Sequence, residues 1–99
     1  MILQLRTYTI NEGMMDSFID IFTKHIKPLH ARLNIPVQGM WTNIEKNEFI
    51  WMRKFESIDE IPAKERAFSD SPERKSLGDR PTSHIAKMDI KIIESLDIN

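Results

Sequence analysis

The segment Phe49-Ile50-Trp51-Met52-Arg53-Lys54-Phe55-Glu56-Ser57 narrows the fold more than any other stretch of this chain. Its density of β-forming side chains predicts a strand over Glu48–Glu56. A second predicted strand, Pro36–Ile44, precedes it. The residues between them, Glu45-Lys46-Asn47, form a loop of hairpin length in which Asn47 tolerates a positive φ. The middle of the chain is therefore a predicted β-hairpin.

A strand and a long helix precede this hairpin. Ile2–Ile10 alternates between two sets of side chains, which is the period of a β-strand. From Met14 the apolar residues recur at helical spacing as far as about Asn34. Pro28 removes an amide donor inside that helix, so we expect a kink there or a break into two helices.

A second helical region and a fourth strand follow the hairpin. Ser57-Ile58-Asp59-Glu60 has the spacing of a capping box, although Pro62 soon after it predicts a displaced or partly 3₁₀ start. Ser71-Pro72-Glu73 predicts a restarted helix with a serine cap, which Gly78 can close. His84–Ile98 alternates again and is the fourth predicted strand.

The predicted order of strand, helix, strand, strand, helix and strand is that of the ferredoxin-like βαββαβ arrangement. We therefore predict an α+β fold of one domain over residues 1–99, with a four-stranded antiparallel sheet and two helical regions on one face. The other face of the sheet would expose a large apolar patch in a monomer of this size. A symmetric homodimer that packs sheet against sheet is the expected solution.

Composition argues against several classes of function. The 14 basic and 15 acidic residues give a net charge of −1 and are spread along the chain, so we expect no nucleic-acid partner and no membrane association. No apolar stretch reaches the length of about 18 residues needed to span a membrane. The chain has no cysteine, which removes thiolate nucleophiles and thiolate zinc sites and fits a cytoplasmic location.

Five short blocks resemble the NIPSNAP domain of the dimeric α/β-barrel superfamily. They follow the family's order from Leu5 to about Lys75: Leu5-Arg6-Thr7-Tyr8, Pro28-Leu29-His30, Gly39-Met40-Trp41, the strand from Phe49 to Ser57, and Ala67-Phe68 with Ser71-Pro72-Glu73. The resemblance implies a homodimer whose two sheets form a barrel, with a small-molecule pocket between each sheet and its helices.

Three positions depart from the pattern of that family. Gln4 stands where a glutamate often precedes the Leu-Arg-x-Tyr block, Ile61 where an arginine is frequent, and Arg74 where a tryptophan is usual after Ser-Pro-Glu. The last departure removes a large ring from beside the expected pocket, so the ligand preferences of other members need not apply to this chain.

Two residue pairs are the strongest candidates for binding a ligand. Arg6 and Tyr8 lie two apart on one strand face, and Trp51 and Arg53 lie two apart on another. An arginine in the pocket could orient a carboxylate, enolate or phosphate through paired N–H donors, and we expect this role for Arg53 before Arg6. The alternative for both arginines is a structural role, either in ion pairs with glutamates or in capping backbone carbonyls at the dimer interface. The other aromatic residues of the hairpin strands are expected in the core or at an interface: Trp41, Phe49 and Phe55.

His30 and Arg53 are the candidate catalytic residues. His30 follows the expected kink at Pro28, where an imidazole could act as a general base, and a surface or helix-end histidine is the alternative. His84 is expected to face solvent, although a single histidine is enough to bind haem iron. Because no other metal-binding, nucleophilic or glycine-rich motif is visible, we predict no metal and no cofactor.

Two functions are consistent with this pattern, and a haem-binding or haem-degrading variant, which rests on one possible histidine ligand, is a third option after them. The first is binding of a small apolar or aromatic molecule by a NIPSNAP-like protein of unassigned activity. The second is a cofactor-independent monooxygenase or isomerase acting on an aromatic or polyketide-like substrate. In that enzyme Trp51 and Tyr8 would shape the cavity, Arg53 would stabilise an enolate and His30 would move a proton. Because the enzyme rests on fold-level analogy, binding is the preferred prediction.

Overall fold

The computed structural model describes residues 1–97. Its elements follow the predicted order: β1 (Ile2–Ile10), α1 (Met15–Ile21), a π-helical turn (Phe22–Ile26), α2 (Lys27–Arg32), β2 (Val37–Thr42), β3 (Glu48–Phe55), a 3₁₀ turn (Ile58–Glu60), α3 (Ile61–Asp70), α4 (Pro72–Leu77), a second 3₁₀ turn (Thr82–His84) and β4 (Ile85–Glu94). The strands form one antiparallel sheet of order β2-β3-β1-β4. The predicted ferredoxin-like α+β fold is confirmed. The predicted end of β4, Ile98, lies outside the described residues.

The interruption expected at Pro28 takes the form of a π-helical turn. The Lys27 N–H donates to the carbonyl of Phe22, five residues earlier. Pro28 then lies in the first turn of α2, where a missing N–H costs least. After this turn Leu29 and His30 are both buried. In the part of the chain that the structure describes, no helix combines the length and apolar character needed to cross a bilayer.

The second helical region begins in a 3₁₀ turn, as expected. The predicted capping box does not form, because the Ser57 hydroxyl makes no capping hydrogen bond and the Glu60 carboxylate accepts from the Glu56 N–H at 2.7 Å instead. The restart at α4 is confirmed, since Ser71 Oγ accepts a backbone hydrogen bond at 3.1 Å and Gly78 ends the helix with φ of 58°. The second helical region therefore consists of two short helices, α3 and α4.

The hairpin loop between β2 and β3 differs from the prediction at one residue. The left-handed residue is Lys46, with φ of 62°, and not Asn47. The Asn43 side chain closes the loop by accepting hydrogen bonds from the N–H groups of Asn47 (3.0 Å) and Glu48 (2.9 Å). Because these two bonds hold Asn47 against Asn43, the tight turn falls one residue earlier.

Aromatic side chains form most of the core between the sheet and the first helix. Phe49 packs against Phe18 and Phe22 with ring centroids 5.0 and 4.9 Å apart, and Trp51 packs against Phe22 at 4.9 Å. A separate cluster surrounds Phe55 at the other end of β3 and includes Ile35 and Ile61. The expected burial of Phe49 and Phe55 is confirmed, and along β3 the two clusters are separated by Arg53.

One side chain lies outside its predicted environment, and for a second the structure excludes one of its two predicted alternatives. His84, expected in solvent, is buried. Both nitrogens of its ring have partners, since Nδ1 donates to the Arg80 carbonyl at 2.7 Å and Nε2 lies 2.8 Å from Ser17 Oγ. Trp41, expected in the core or at an interface, is absent from the core of the chain, and the interface alternative stays a prediction. Its indole is 48% exposed and lies over Gly39 on the sheet face opposite the helices.

Gly39 is required by this position of the indole. A Cβ at Gly39 would lie 2.5 Å from Trp41 Cη2, so Gly39→Ala forces the ring outward and is expected to lower the free energy of unfolding by about 1 kcal/mol. In a Trp41→Ala background the same change should be neutral or stabilising, because alanine restricts the unfolded chain. Equal destabilisation in both backgrounds, measured by urea unfolding, would contradict this explanation.

Candidate functional site

The register of the sheet brings the two predicted ligand-binding pairs together. Strands β1 and β3 pair with Arg6 opposite Trp51 and with Tyr8 opposite Phe49. Directly opposed residues of an antiparallel pair share a face, and Tyr8 contacts the first helix through Phe18. Both pairs therefore lie on the helix side of the sheet, on one continuous surface.

A cavity of about 380 Å³ lies over this surface, between the sheet and the helices. Its walls include six apolar side chains: Phe18, Phe22, Ile26, Phe68, Ile85 and Met88. The side chains with polar atoms that line it include Arg6, Tyr8, His30, Trp51, Arg53 and Glu65. Every residue that the sequence placed in a site thus lines this cavity.

Arg53 is the most enclosed charge of the site. Its Nε donates to Gln4 Oε1 at 2.8 Å, its Nη1 to His30 Nε2 at 3.0 Å and its Nη2 to Glu65 Oε2 at 2.8 Å. Burial, together with the charge of Arg6, lowers the pKa of Arg53 to about 10, and the carboxylate of Glu65 opposes that change. The guanidinium is therefore charged at neutral pH, and its hydrogen bonds connect β3 to three other elements: β1, α2 and α3.

Arg6 is the more accessible of the two arginines. Its Nε donates to Gln4 Oε1 at 2.8 Å, its Nη1 to Tyr8 Oη at 3.0 Å and its Nη2 to Glu65 Oε2 at 3.2 Å. The Arg6 side chain is 15% exposed and that of Arg53 is 3% exposed. The sequence favoured Arg53 as the ligand-contacting arginine, whereas the accessibility of the two side chains favours Arg6.

His30 is completely buried, so the surface position considered from the sequence is wrong. Its Nδ1 lies 2.8 Å from the carbonyl of Ile26, which can only accept, and its Nε2 lies 3.0 Å from Arg53, which can only donate. The ring is therefore the neutral tautomer with the proton on Nδ1. Burial is the largest effect that lowers the pKa of His30 to about 4, and the charges of Arg53 and Arg6 act in the same direction.

This geometry limits the proton chemistry available to His30. While both hydrogen bonds hold, neither ring nitrogen has a free lone pair for a substrate proton. The catalytic roles of His30 and Arg53 therefore stay predictions.

The sequence did not identify Glu65 as a site residue. Its Oε2 accepts hydrogen bonds from Gln4 at 3.1 Å, Arg6 at 3.2 Å and Arg53 at 2.8 Å. Partial burial alone would raise the pKa of Glu65, but the bond from Gln4 and the two arginine charges hold it below its usual value. The expected alternative of arginine–glutamate ion pairs is thus confirmed. In the sequence, two arginines on strand faces without an assigned acidic partner were the feature that could have indicated a glutamate nearby.

Gln4 explains how one carboxylate can serve two arginines. Its Oε1 accepts from the Nε atoms of Arg6 and Arg53, while its Nε2 donates to Glu65. A glutamate at this position, as often precedes the Leu-Arg-x-Tyr block, would accept from both arginines but could not donate to Glu65. The Gln4 amide therefore connects the two arginines to each other and to Glu65 without adding a charge.

No metal-binding arrangement is present among residues 1–97. No three His, Asp or Glu side chains of this range are grouped closely enough to hold an ion. Each ring nitrogen of His84, the residue considered for haem, lies within hydrogen-bonding distance of a protein oxygen.

The buried neutral ring of His30 predicts a specific acid sensitivity. The unfolded chain takes up the His30 proton near pH 6.5 and the folded protein only near pH 4, so stability is complete above pH 6.5 and is lost as the pH falls toward 4. The free energy of unfolding falls by about 3 kcal/mol between these two pH values. His30→Gln, which cannot titrate, should lack this part of the pH dependence in urea unfolding at pH 7, 5.5 and 4. The same slope in both proteins would show that another group is responsible.

Comparison with known proteins agrees with this architecture. The sequence profile described as NIPSNAP matches residues 3–98. Among solved structures, a NIPSNAP domain protein from Burkholderia xenovorans superimposes with a TM-score of 0.88 at 15% identity, covering 100% of this chain and 98% of that one. A NIPSNAP family protein from Agrobacterium tumefaciens gives 0.89 at 16% identity, with coverage of 98% and 94%.

A more distant structure shares the fold. A provisionally assigned antibiotic biosynthesis monooxygenase from Nitrosomonas europaea gives a TM-score of 0.74 at 10% identity, with coverage of 98% of this chain and 100% of that one. No curated protein sequence matches the chain significantly. The profile match over nearly the whole length, on a sheet and helices arranged as described above, identifies this chain as a member of the NIPSNAP family.

Proposed function

We propose that this protein binds a small apolar or aromatic molecule in the cavity between the sheet and the helices. The observation that carries the proposal is the cavity itself, which combines aromatic and aliphatic walls with one compact group of charged side chains. Its volume of about 380 Å³ lies in the range of small-molecule sites, which are mostly apolar and have a few polar groups that orient the ligand.

The four residues that the sequence selected have distinct roles in this proposal. Tyr8 and Trp51 form flat walls against which an aromatic ring packs. Arg6 supplies hydrogen-bond donors at the polar end, since its side chain is partly exposed. Arg53 lies behind them and holds Glu65 and His30 in place through its own hydrogen bonds.

We propose binding in preference to catalysis. The likeness to a monooxygenase structure at 10% identity concerns the fold. The monooxygenase or isomerase alternative also needs a group that accepts a proton, and the described position of His30 leaves neither nitrogen free for that step.

Blocking the cavity tests the binding proposal. Ser69 lines the cavity yet is exposed, so Ser69→Trp can fill the cavity without disturbing the core. Native mass spectrometry of the protein as purified, followed by ligand-observed NMR with a panel of aromatic compounds, should detect binding that Ser69→Trp abolishes. Ser76→Trp, an exposed helical position outside the cavity, is the matched control and should bind normally. Binding that persists in Ser69→Trp, or no binding by the unaltered protein, would refute the proposal.

We also propose that the protein forms a homodimer through the face of the sheet opposite the helices. This face carries Trp41, which is 48% exposed, and the half-buried side chains of Leu5, Ile50 and Met52. These residues form an apolar patch on β1, β2 and β3, while the edge strand β4 adds Lys87, Asp89 and Lys91 to the same face. An apolar patch on a sheet is characteristic of a protein–protein interface, and a symmetric pair of copies would cover both patches at once.

A charge on that face should separate the two copies. Ile50→Lys places an ammonium group at the centre of the proposed interface, so sedimentation velocity should show a dimer for the unaltered protein and a monomer for the variant. Ile44→Lys makes the same change at a loop residue that is 92% exposed and should leave the dimer intact. A monomeric unaltered protein, or dimers of equal stability in both variants, would disprove this interface.

A further inference from the structure

One residue of the cavity wall has a hydrogen-bond donor that the protein does not use. Trp51 is 3% exposed, and its Nε1 is the buried side-chain nitrogen for which no acceptor exists among the described residues. Trp51 lines the cavity with its ring, but Nε1 itself is sealed from the cavity by its neighbours. A buried N–H without an acceptor is unfavourable, and the donors that a ligand reaches directly are therefore those of other side chains.

Tyr8 supplies a second unused donor. Its phenol oxygen already accepts a hydrogen bond from Arg6 Nη1 at 3.0 Å, so the hydroxyl proton must be directed elsewhere. No acceptor for that proton is found within residues 1–97, and Tyr8 lines the cavity. Arg6 adds to this donor excess, because a guanidinium has two N–H groups on each Nη and the described bonds use one of each.

The charged side chains around the cavity also favour an acceptor, because positive charges outnumber negative ones. The charged side chains that line it are Arg6, Arg53 and Arg74 against Glu65, a formal excess of two positive charges, while His30 is neutral. The chain as a whole has a net charge of −1, so this excess is local. Glu65 is already included in this balance, and its Oε2 accepts hydrogen bonds from three donors of the protein.

We infer that the ligand is a flat apolar molecule with an anionic oxygen group, such as a carboxylate, phenolate or enolate, that accepts hydrogen bonds from Tyr8 and Arg6. This inference rests on the binding function proposed above and adds the chemical class of the ligand. The apolar walls take the body of the molecule, and the unused donors take its oxygen atoms. An anion here interacts with a partly buried positive charge, which makes its hydrogen bonds stronger than those of a neutral acceptor.

A matched pair of probes separates charge from shape. 2-Naphthoate and 2-naphthamide share a ring system and differ chiefly in the anionic group. Isothermal titration calorimetry at pH 7.5 should show naphthoate binding about tenfold more tightly than the amide, the effect of one added charge-assisted hydrogen bond. Raising the salt concentration should weaken naphthoate binding and leave amide binding nearly unchanged.

Two variants assign the preference to the named residues. Tyr8→Phe removes the hydroxyl donor and should remove most of the tenfold preference while amide binding changes less than about twofold. Arg74→Gln removes one charge from a half-buried residue at the cavity wall and should weaken naphthoate alone, which keeps the test valid should Tyr8→Phe fold poorly. Arg66→Gln makes the same change on an exposed residue outside the cavity and should affect neither probe.

The outcomes distinguish this inference from the function on which it rests. If both probes bind with equal affinity and Ser69→Trp abolishes both, the cavity binds ligands but the preference for an anion is wrong. If naphthoate is preferred equally by the unaltered protein, Tyr8→Phe and Arg74→Gln, the assigned residues are wrong and the inference fails. If neither probe nor any other aromatic compound binds, both the inference and the proposed function are refuted.

Discussion

The hydrogen-bonded position of one buried guanidinium, that of Arg53, constrains the rest of this structure. Removing such a charge from water is costly, and the cost is offset only when its N–H groups find partners. Those partners are Gln4 on β1, His30 on α2 and Glu65 on α3, so three other elements converge on one side chain of β3. The faces of the Trp51 and Phe55 rings lie 5.5 and 5.6 Å from the guanidinium carbon and complete its surroundings.

This polar cluster divides the core and at the same time defines the cavity. On one side of Arg53 along β3 lies the aromatic cluster around Phe49, and on the other lies the smaller cluster around Phe55. Hydrogen-bonded charged side chains therefore lie at the base of the cavity, at a position where a small domain would ordinarily place an aliphatic side chain. The Arg53 side chain is 3% exposed and that of Arg6 is 15% exposed, so Arg6 is the arginine of this cluster that is more accessible from the cavity.

Part of strand β1 reverses the usual relation between burial and polarity, whereas β3 keeps it and places aromatic side chains under the helices. On β1 the face toward the helices carries Gln4, Arg6 and Tyr8, while the opposite face carries Leu3 and Leu5. A sheet of a monomer normally places its apolar side chains under the helices and its polar ones in solvent. The reversal is coherent if the helix side contains a binding site and the other side contacts a second copy of the chain.

Local sequence determined the order of the elements, the alternation of the strands, the serine cap at Ser71 and the pairing of Arg6 with Tyr8 and of Trp51 with Arg53 on their strand faces. These features depend on periods of two and 3.6 residues and on capping chemistry, all of which act over a few positions. Only the tertiary structure decided three other features: the pairing of Arg6 opposite Trp51, the burial of His30, and the bond from Arg6 to Glu65, 59 positions away. Strand register and helix docking bring together residues that are distant in the chain, and no local pattern contains that information.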